Sequence, residues 1–188
     1  MASASIRIFG YAIISAEGMI ADADGRMPDS LLVEADQSFF RASLTNAQVV
    51  VHGRHSGEGG PDANRRHRVI LTSTIAAMSS ISSAPHVLLW NPKGISFTEI
   101  TQSLPINEGI VAVIGGTKVF DLFLSIGYDA FYLSCSARAR LLGGRPVFSR
   151  VPEQSPQRIL ANHGLCRRRE QNLRNEVTLE EWIRESPQ

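Results

Sequence analysis

Cysteine is scarce in this 188-residue chain, aromatics make up 7%, neither sign of charge prevails, and no apolar run is long. The two cysteines, Cys135 and Cys166, form neither a CxxC pair nor the spacing of a disulfide framework. Reduced thiols in a cytoplasmic protein are therefore expected. Lys and Arg number 19 against 18 acids, which leaves no electrostatic footprint for nucleic acid or a membrane surface. No apolar stretch approaches the ~18 residues of a membrane helix. The N-terminal "MASASIRIFGYAIISAEG" lacks the basic flank of a signal peptide, so none is expected. His52 and His55 flank Gly53-Arg54, but HxxH with no Cys or acid beside it is a poor metal site, and no metal is expected.

What is present suits a folded enzyme-sized unit. Hydrophobic residues make up 43% and charged residues 20%, too apolar for disorder and enough for a sizeable core. One domain over 1–188 is expected, with no repeat and no linker. The stretch "HSGEGGPDANRRHR" (55–68) reads as a loop, because apolar segments resume on both sides of it. Near-continuous apolar runs over 6–14, 47–53, 68–73, 86–91, 109–115 and 130–136 predict strands buried on both faces. Helical patterns over 33–44, 73–80, 96–104 and 117–126 alternate with them. The order predicts an α/β fold with a mainly parallel sheet of about eight strands and about four helices. "QRILANHGLCRRREQ" and "NEVTLEEWIRE" read as two strands of an antiparallel hairpin at one sheet edge.

Three strand ends carry polar residues suited to anions. "VIGGTKVFDLFL" (113–124) runs from a strand through Gly115-Gly116 into a helix, with Lys118 expected one turn into it. Bare backbone N–H groups and the positive end of a helix dipole would meet there. A phosphate resting on the backbone is one explanation, and a tight turn needing positive φ is another. The stretch is not a GxGxxG fingerprint and has no acid at the matching spacing, which disfavours an ordinary Rossmann domain. "VVVHGRHS" ends in Arg54, His55 and Ser56, and "VILTST" in Thr72 and Ser73. An Arg and two hydroxyls suit a phosphate monoester such as the 2′-phosphate of NADPH; Thr72 or Ser73 as a helix N-cap is the alternative. Ligands of open α/β sheets bind outside the carboxyl ends of strands, where all three clusters lie. Asp36 and Phe40 stand i and i+4 on one helix face. There the carboxylate either hydrogen-bonds a flat heterocycle that Phe40 packs against, or is a first-turn acid in solvent.

In this order the pieces resemble the dihydrofolate reductase superfamily, which includes the pyrimidine reductases of riboflavin biosynthesis. The resemblance runs from residue 6 to about 148. It implies a three-layer α/β/α fold around a mostly parallel sheet. "VIGGTK" is similar to the family's Ile-Gly-Gly segment on the cofactor pyrophosphate, "HGRHS" to its Gly-Arg element, and "LTS" to its hydroxyl pair on the 2′-phosphate. The implied NADPH-binding set is Gly53, Arg54, His55, Ser56, Thr72, Ser73, Ile114, Gly115, Gly116, Thr117 and Lys118, with Ala12, Ile13 and Ile20 bordering the nicotinamide. Asp36 matches the acid that orients the substrate and assists protonation of the C=N bond. Phe40, Arg66 and Ser134 match substrate-side positions.

Two departures favour the riboflavin-type branch. The Trp and Leu-Pro that precede the acid in dihydrofolate reductases are missing from "MPDSLLVEAD". "SAEGMIAD", with Glu17 in place of Asp, and "LLGGRPVFSRV" (141–151) resemble segments of riboflavin-type reductases instead. The resemblance implies a stand-alone NADPH-dependent reductase of a pterin or a related aminopyrimidine, without a preceding deaminase domain. "RRHR" (65–68) would either meet a substrate phosphate or lie in solvent. A homodimer through the sheet edge is also implied. The rival expectation is a non-catalytic nucleotide-binding module on the same fold.

Overall fold

Val49, Val50 and Val51 are consecutive and none has any exposed surface, and the same holds for Val111, Ala112 and Val113. Neighbouring residues of a strand point to opposite faces, so both runs lie in strands covered on both sides. The computed structural model describes residues 6–56, 66–174 and 176–185. In chain order the strands are β1 (Ile6–Ile14), β2 (Met19–Ala21), β3 (Ala47–Gly53), β4 (His67–Leu71), β5 (Met78–Ile81), β6 (Ala84–Trp90), β7 (Gly109–Gly115), β8 (Ala130–Ser136), β9 (Arg145–Pro146), β10 (Leu165–Asn172) and β11 (Val177–Arg184). The α-helices are α1 (Glu34–Thr45), α2 (Phe97–Gln102), α3 (Thr117–Ile126) and α4 (Pro156–Asn162). Nine strands form one sheet in the order β10-β11-β8-β1-β7-β3-β4-β6-β5, and β2 pairs with β9 outside it. The centre, from β8 to β6, is parallel. The two flanks, β10-β11-β8 and β5-β6, are antiparallel.

The helices divide unevenly between the two faces. α1 lies on the face carrying Tyr11, Val50 and Ala112, where Phe39, Phe40 and Leu44 pack onto the strands. The opposite face holds the larger core, in which Val119, Phe120 and Phe123 of α3, Ile100 of α2 and Ile159 and Leu160 of α4 meet Val49, Val111, Phe131 and Leu133. Three layers result, as the resemblance implies. Gly10 of β1 has no side chain because the Phe131 ring occupies that space, 2.3 Å from where a Cβ would stand.

Local sequence accounts for two of the four α-helix starts. Ser96 and Glu99 form a reciprocal capping box on α2. Ser155 caps α4, with Pro156 in its first turn. Two sequence expectations are corrected. The segment 73–80 is not a helix. It bends and then enters β5, because Asn91 donates from Nδ2 to the Ile75 carbonyl at 2.7 Å and its backbone N–H bonds Ala77 at 2.7 Å. An eight-residue helix without a packed face has too few internal bonds to compete. The stretch from Gln157 to Gln171 is not one strand either: its first half belongs to α4, and β10 starts after Gly164. Most of the expected loop over 55–68, residues 57–65, lies outside the described residues.

β2 and β9 bring two distant segments together. Met19 pairs with Pro146 and Ala21 with Arg145, and the Val147 N–H bonds the Gly18 carbonyl. Glu17 locks this strap: its Oε2 accepts from Leu141 N at 3.0 Å and Ser15 Oγ at 2.8 Å, and its Oε1 from Arg140 at 3.2 Å. The two motifs of riboflavin type are thus one structural unit.

Candidate functional site

β7, β3 and β4 are adjacent and parallel, so their C-terminal ends open on one edge of the sheet. That edge gathers Gly115-Gly116, then Arg54, His55 and Ser56, then Thr72 and Ser73. Gly115 has φ 144° and Gly116 φ 80°, a region that favours glycine. A Cβ on Gly115 would stand 3.4 Å from the Ser56 Cβ, and one on Gly116 3.4 Å from the Ser56 hydroxyl. Side chains there would fill the gap between Ser56 and the start of α3. Gly116 is the N-cap of α3 and offers no side-chain cap, and no acid lies in the helix's first turn. The first backbone N–H groups therefore face that gap without a carboxylate, which is the donor set an anion requires. Lys118 is exposed and is the second residue of α3, closer to the helix start than a full turn. Thr117 turns away, donating its hydroxyl to the Pro146 carbonyl and anchoring α3 to the strap.

The Arg54 guanidinium is held by hydroxyls. Its Nε and Nη2 donate to Thr72 Oγ1 at 3.1 and 2.8 Å, and Nη2 also donates to Thr74 Oγ1 at 3.0 Å. Thr72 and Ser73 start no helix, so the N-cap alternative falls with the helix over 73–80. Next to this cluster His52 is buried, and Arg68 donates to its Nε2 from Nε at 3.2 Å and Nη2 at 2.7 Å. A guanidinium only donates, so Nε2 carries no proton and Nδ1–H bonds the Gly53 carbonyl at 2.6 Å. Of the "RRHR" stretch, Arg65 lies outside the described residues, while His67 and Arg68 are part of β4. Arg68 is thus committed to His52 instead of a substrate phosphate or open solvent.

A cleft of about 760 Å³ runs from this edge across the α1 face of the sheet. Asp36, Phe40, Arg66 and Ser134 line it, as do Ala12, Ile13, Ile20, His55, Ser56, Ile114, Gly115 and Gly116. Gly53, Arg54, Thr72, Ser73, Thr117 and Lys118 are not among its lining residues. Arg54, Thr72 and Thr74 form a separate hydrogen-bonded cluster beyond the β3 and β4 ends, with Ser73 exposed between the two threonines.

Asp36 is only 9% exposed, so it is no solvent-facing first-turn acid. Burial pushes its carboxyl above the ordinary range, and a hydrogen bond from the Ser134 hydroxyl opposes the shift. Ser134 reaches it from β8, where it pairs with Ile13. A buried carboxyl of raised pKa keeps its proton to higher pH than an exposed one, and so can donate it within the cleft.

Sequence reading missed the aromatic floor. Tyr11 and Tyr132 pair across β1 and β8, and their rings stack 5.1 Å apart at 9°. Phe40 meets Tyr11 edge-on at 6.2 Å. Both tyrosines stand two residues before cleft positions already singled out, Ile13 and Ser134. The period-two pattern of a strand was the signal that would have found them. Thr74, beyond the "LTS" motif, was missed as well.

No protein-family model matches the sequence, and no curated protein sequence does. Solved structures do. A protein assigned to riboflavin biosynthesis in Shewanella sp. PV-4 superposes with a TM-score of 0.67 at 18% identity, over 96% of this chain and 99% of that one. Dihydrofolate reductase from Enterococcus faecalis, in complex with NADP(H) and RAB-propyl, gives 0.61 at 16% identity over 96% and 97%. A pyrimidine reductase-like protein from Corynebacterium diphtheriae gives 0.64 at 14% identity over 94% and 91%. Among the described residues no helix is long and apolar enough to cross a membrane. In strand order, in the layering of its helices and in its likeness to solved structures, the chain has the dihydrofolate reductase-like fold.

Proposed function

We propose that this protein is a cytoplasmic, NADPH-dependent reductase that transfers a hydride to a C=N bond of a pterin or a related aminopyrimidine. One observation carries the reading. A single cleft joins a buried carboxyl of raised pKa, Asp36, to the glycine-lined start of α3. The Enterococcus faecalis neighbour, complexed with NADP(H), supports NADPH as the cofactor.

The residues present fit such a group. The bare N–H groups at the start of α3, beside the space a Cβ would fill, suit a pyrophosphate, and the Arg54 cluster suits the 2′-phosphate. When bound, the reduced nicotinamide supplies the hydride. Ala12, Ile13 and Ile20 give the cleft an apolar wall that excludes water from the reacting carbon. Phe40 and the stacked tyrosines present flat surfaces to a heterocycle. Asp36 accepts from the donor edge of that ring, and in its protonated form supplies the proton to the ring nitrogen. Ser134 fixes the carboxyl's orientation. Arg66 lines the same cleft, where an anionic substituent of the substrate would meet it.

The test is a titration with NADPH and NADH followed by nicotinamide fluorescence, together with NADPH oxidation on dihydrofolate and on a ribosylaminopyrimidine. The expected result is NADPH binding that Gly116→Ala weakens and turnover that Asp36→Asn lowers about 10²–10⁴-fold. A protein that binds neither dinucleotide overturns the proposal. NADPH binding without turnover of either substrate class would make it a nucleotide-binding module.

A further inference from the structure

Proton accounting around Arg54 separates two threonines that look alike in sequence. Thr72 is 8% exposed. Its Oγ1 receives donors from Arg54 Nε and Nη2 and from the Thr74 backbone N–H at 3.2 Å. A hydroxyl has two acceptor lone pairs and one hydrogen, so three donors, one of them sharing a lone pair, leave no acceptor capacity over. The remaining contact, Thr72 Oγ1 to Thr74 Oγ1 at 2.9 Å, must use the Thr72 hydrogen. Thr72 is then saturated and has nothing to offer a ligand. Thr74 Oγ1 accepts from Thr72 and from Arg54 Nη2, which fills its two lone pairs and leaves its own hydrogen for an outside acceptor. Thr74 is exposed. On the guanidinium, Nε and Nη2 are engaged with the threonines, and among the described residues Nη1 has no hydrogen-bond partner.

The geometry points to a division of labour at the coenzyme's phosphate monoester. Thr74 donates its hydroxyl to the phosphate beside Arg54 Nη1, and Thr72 is a positioning residue that aims the guanidinium without touching the ligand. This inference rests on the NADPH reading above. It moves the hydroxyl that the motif resemblance puts on Thr72, paired with Ser73, to a residue outside the motif.

Dissociation constants for NADPH and NADH, measured by nicotinamide fluorescence, test it in near-isosteric variants whose folding is checked by thermal melting. Thr74→Val is expected to weaken NADPH about ten-fold, the effect of one charge-assisted hydrogen bond, and to leave NADH within about two-fold. Thr74→Ser restores NADPH binding. Thr72→Val also weakens NADPH, but adds nothing once Thr74→Val is joined to an Arg54→Ala background, because it acts only through those two side chains. Thr74→Val keeps part of its effect in the Arg54→Ala background. NADPH preference that survives Thr74→Val, or a loss carried by Ser73→Ala alone, overturns the assignment and leaves the NADPH reading intact. A wild-type protein that binds both dinucleotides equally, or neither, overturns the NADPH reading and this assignment with it.

Discussion

Burial and the Ser134 hydroxyl pull the Asp36 carboxyl in opposite directions, and burial is the larger effect. The folded chain therefore keeps the Asp36 proton to higher pH than the unfolded chain, whose value is near 3.8. In that window the folded state binds more protons, so stability falls as pH rises through the folded pKa. Asp36→Asn removes this penalty. Urea midpoints measured from about pH 4 to pH 8 should show the variant gaining on the wild type as pH increases, while turnover falls about 10²–10⁴-fold. A pH-independent difference would mean that Asp36 titrates as an exposed acid. Asp36 and Ser134 were both legible as motif positions, because each depends on its place along one helix or one strand. Thr74 was not. Its role follows from how two hydroxyls share one guanidinium, and no spacing rule encodes the direction of a hydroxyl hydrogen.

Glu17 shows the same physics with the sign reversed, in a strap between two elements. The Leu141 N–H, with further help from Ser15 and Arg140, holds its carboxyl down at about 2. The stability it contributes is fully present above about pH 4.5 and is lost as pH falls toward 2. Melting temperatures between those limits should fall less steeply in Glu17→Gln than in the wild type; parallel curves would show that the strap carries no linked proton. At the end of α4, the Ser155 hydroxyl accepts from Arg158 N at 3.2 Å. Ser155→Ala should cost about 1 kcal/mol in denaturant unfolding, and an unchanged midpoint would mean the cap is idle. That helix was readable. Ser155-Pro156 before an apolar pair and Gly164 after it are the start and stop signals of a helix, overlooked because the polar tail suggested a hairpin. The bend at 73–80 was less readable, since the Asn91 side chain that enforces it comes from beyond the following strand. Where bonds are local the elements could be read, and where a distant side chain decides they could not.

Across the whole molecule the alternation of strand and helix was enough to give a parallel centre and an antiparallel edge. The strand order was out of reach, because residues paired far apart in sequence determine it. Cys135 offers a probe of that central sheet. It lies on β8, and burial, with the Glu180 and Glu170 carboxylates behind it, pushes its thiol up to about 12; Cys166 on the edge strand is exposed. A thiol-reactive dye should label one cysteine quickly in the native protein. In Cys166→Ser, labelling should slow to the rate at which the sheet opens. Two fast thiols would show that the β10-β11-β8 flank opens independently of the core.

The position of β1 has a consequence during synthesis. Ile6 pairs with Gly109 and Phe9 with Ala130, so β1 leaves the ribosome before both of the strands it pairs with and must wait for them. At ~5–20 residues per second, roughly a hundred intervening residues take several seconds or more. Throughout that interval a nine-residue apolar segment has no partner strand of its own chain. Until β8 has emerged, that segment is the kind of exposed apolar surface that chaperones cover.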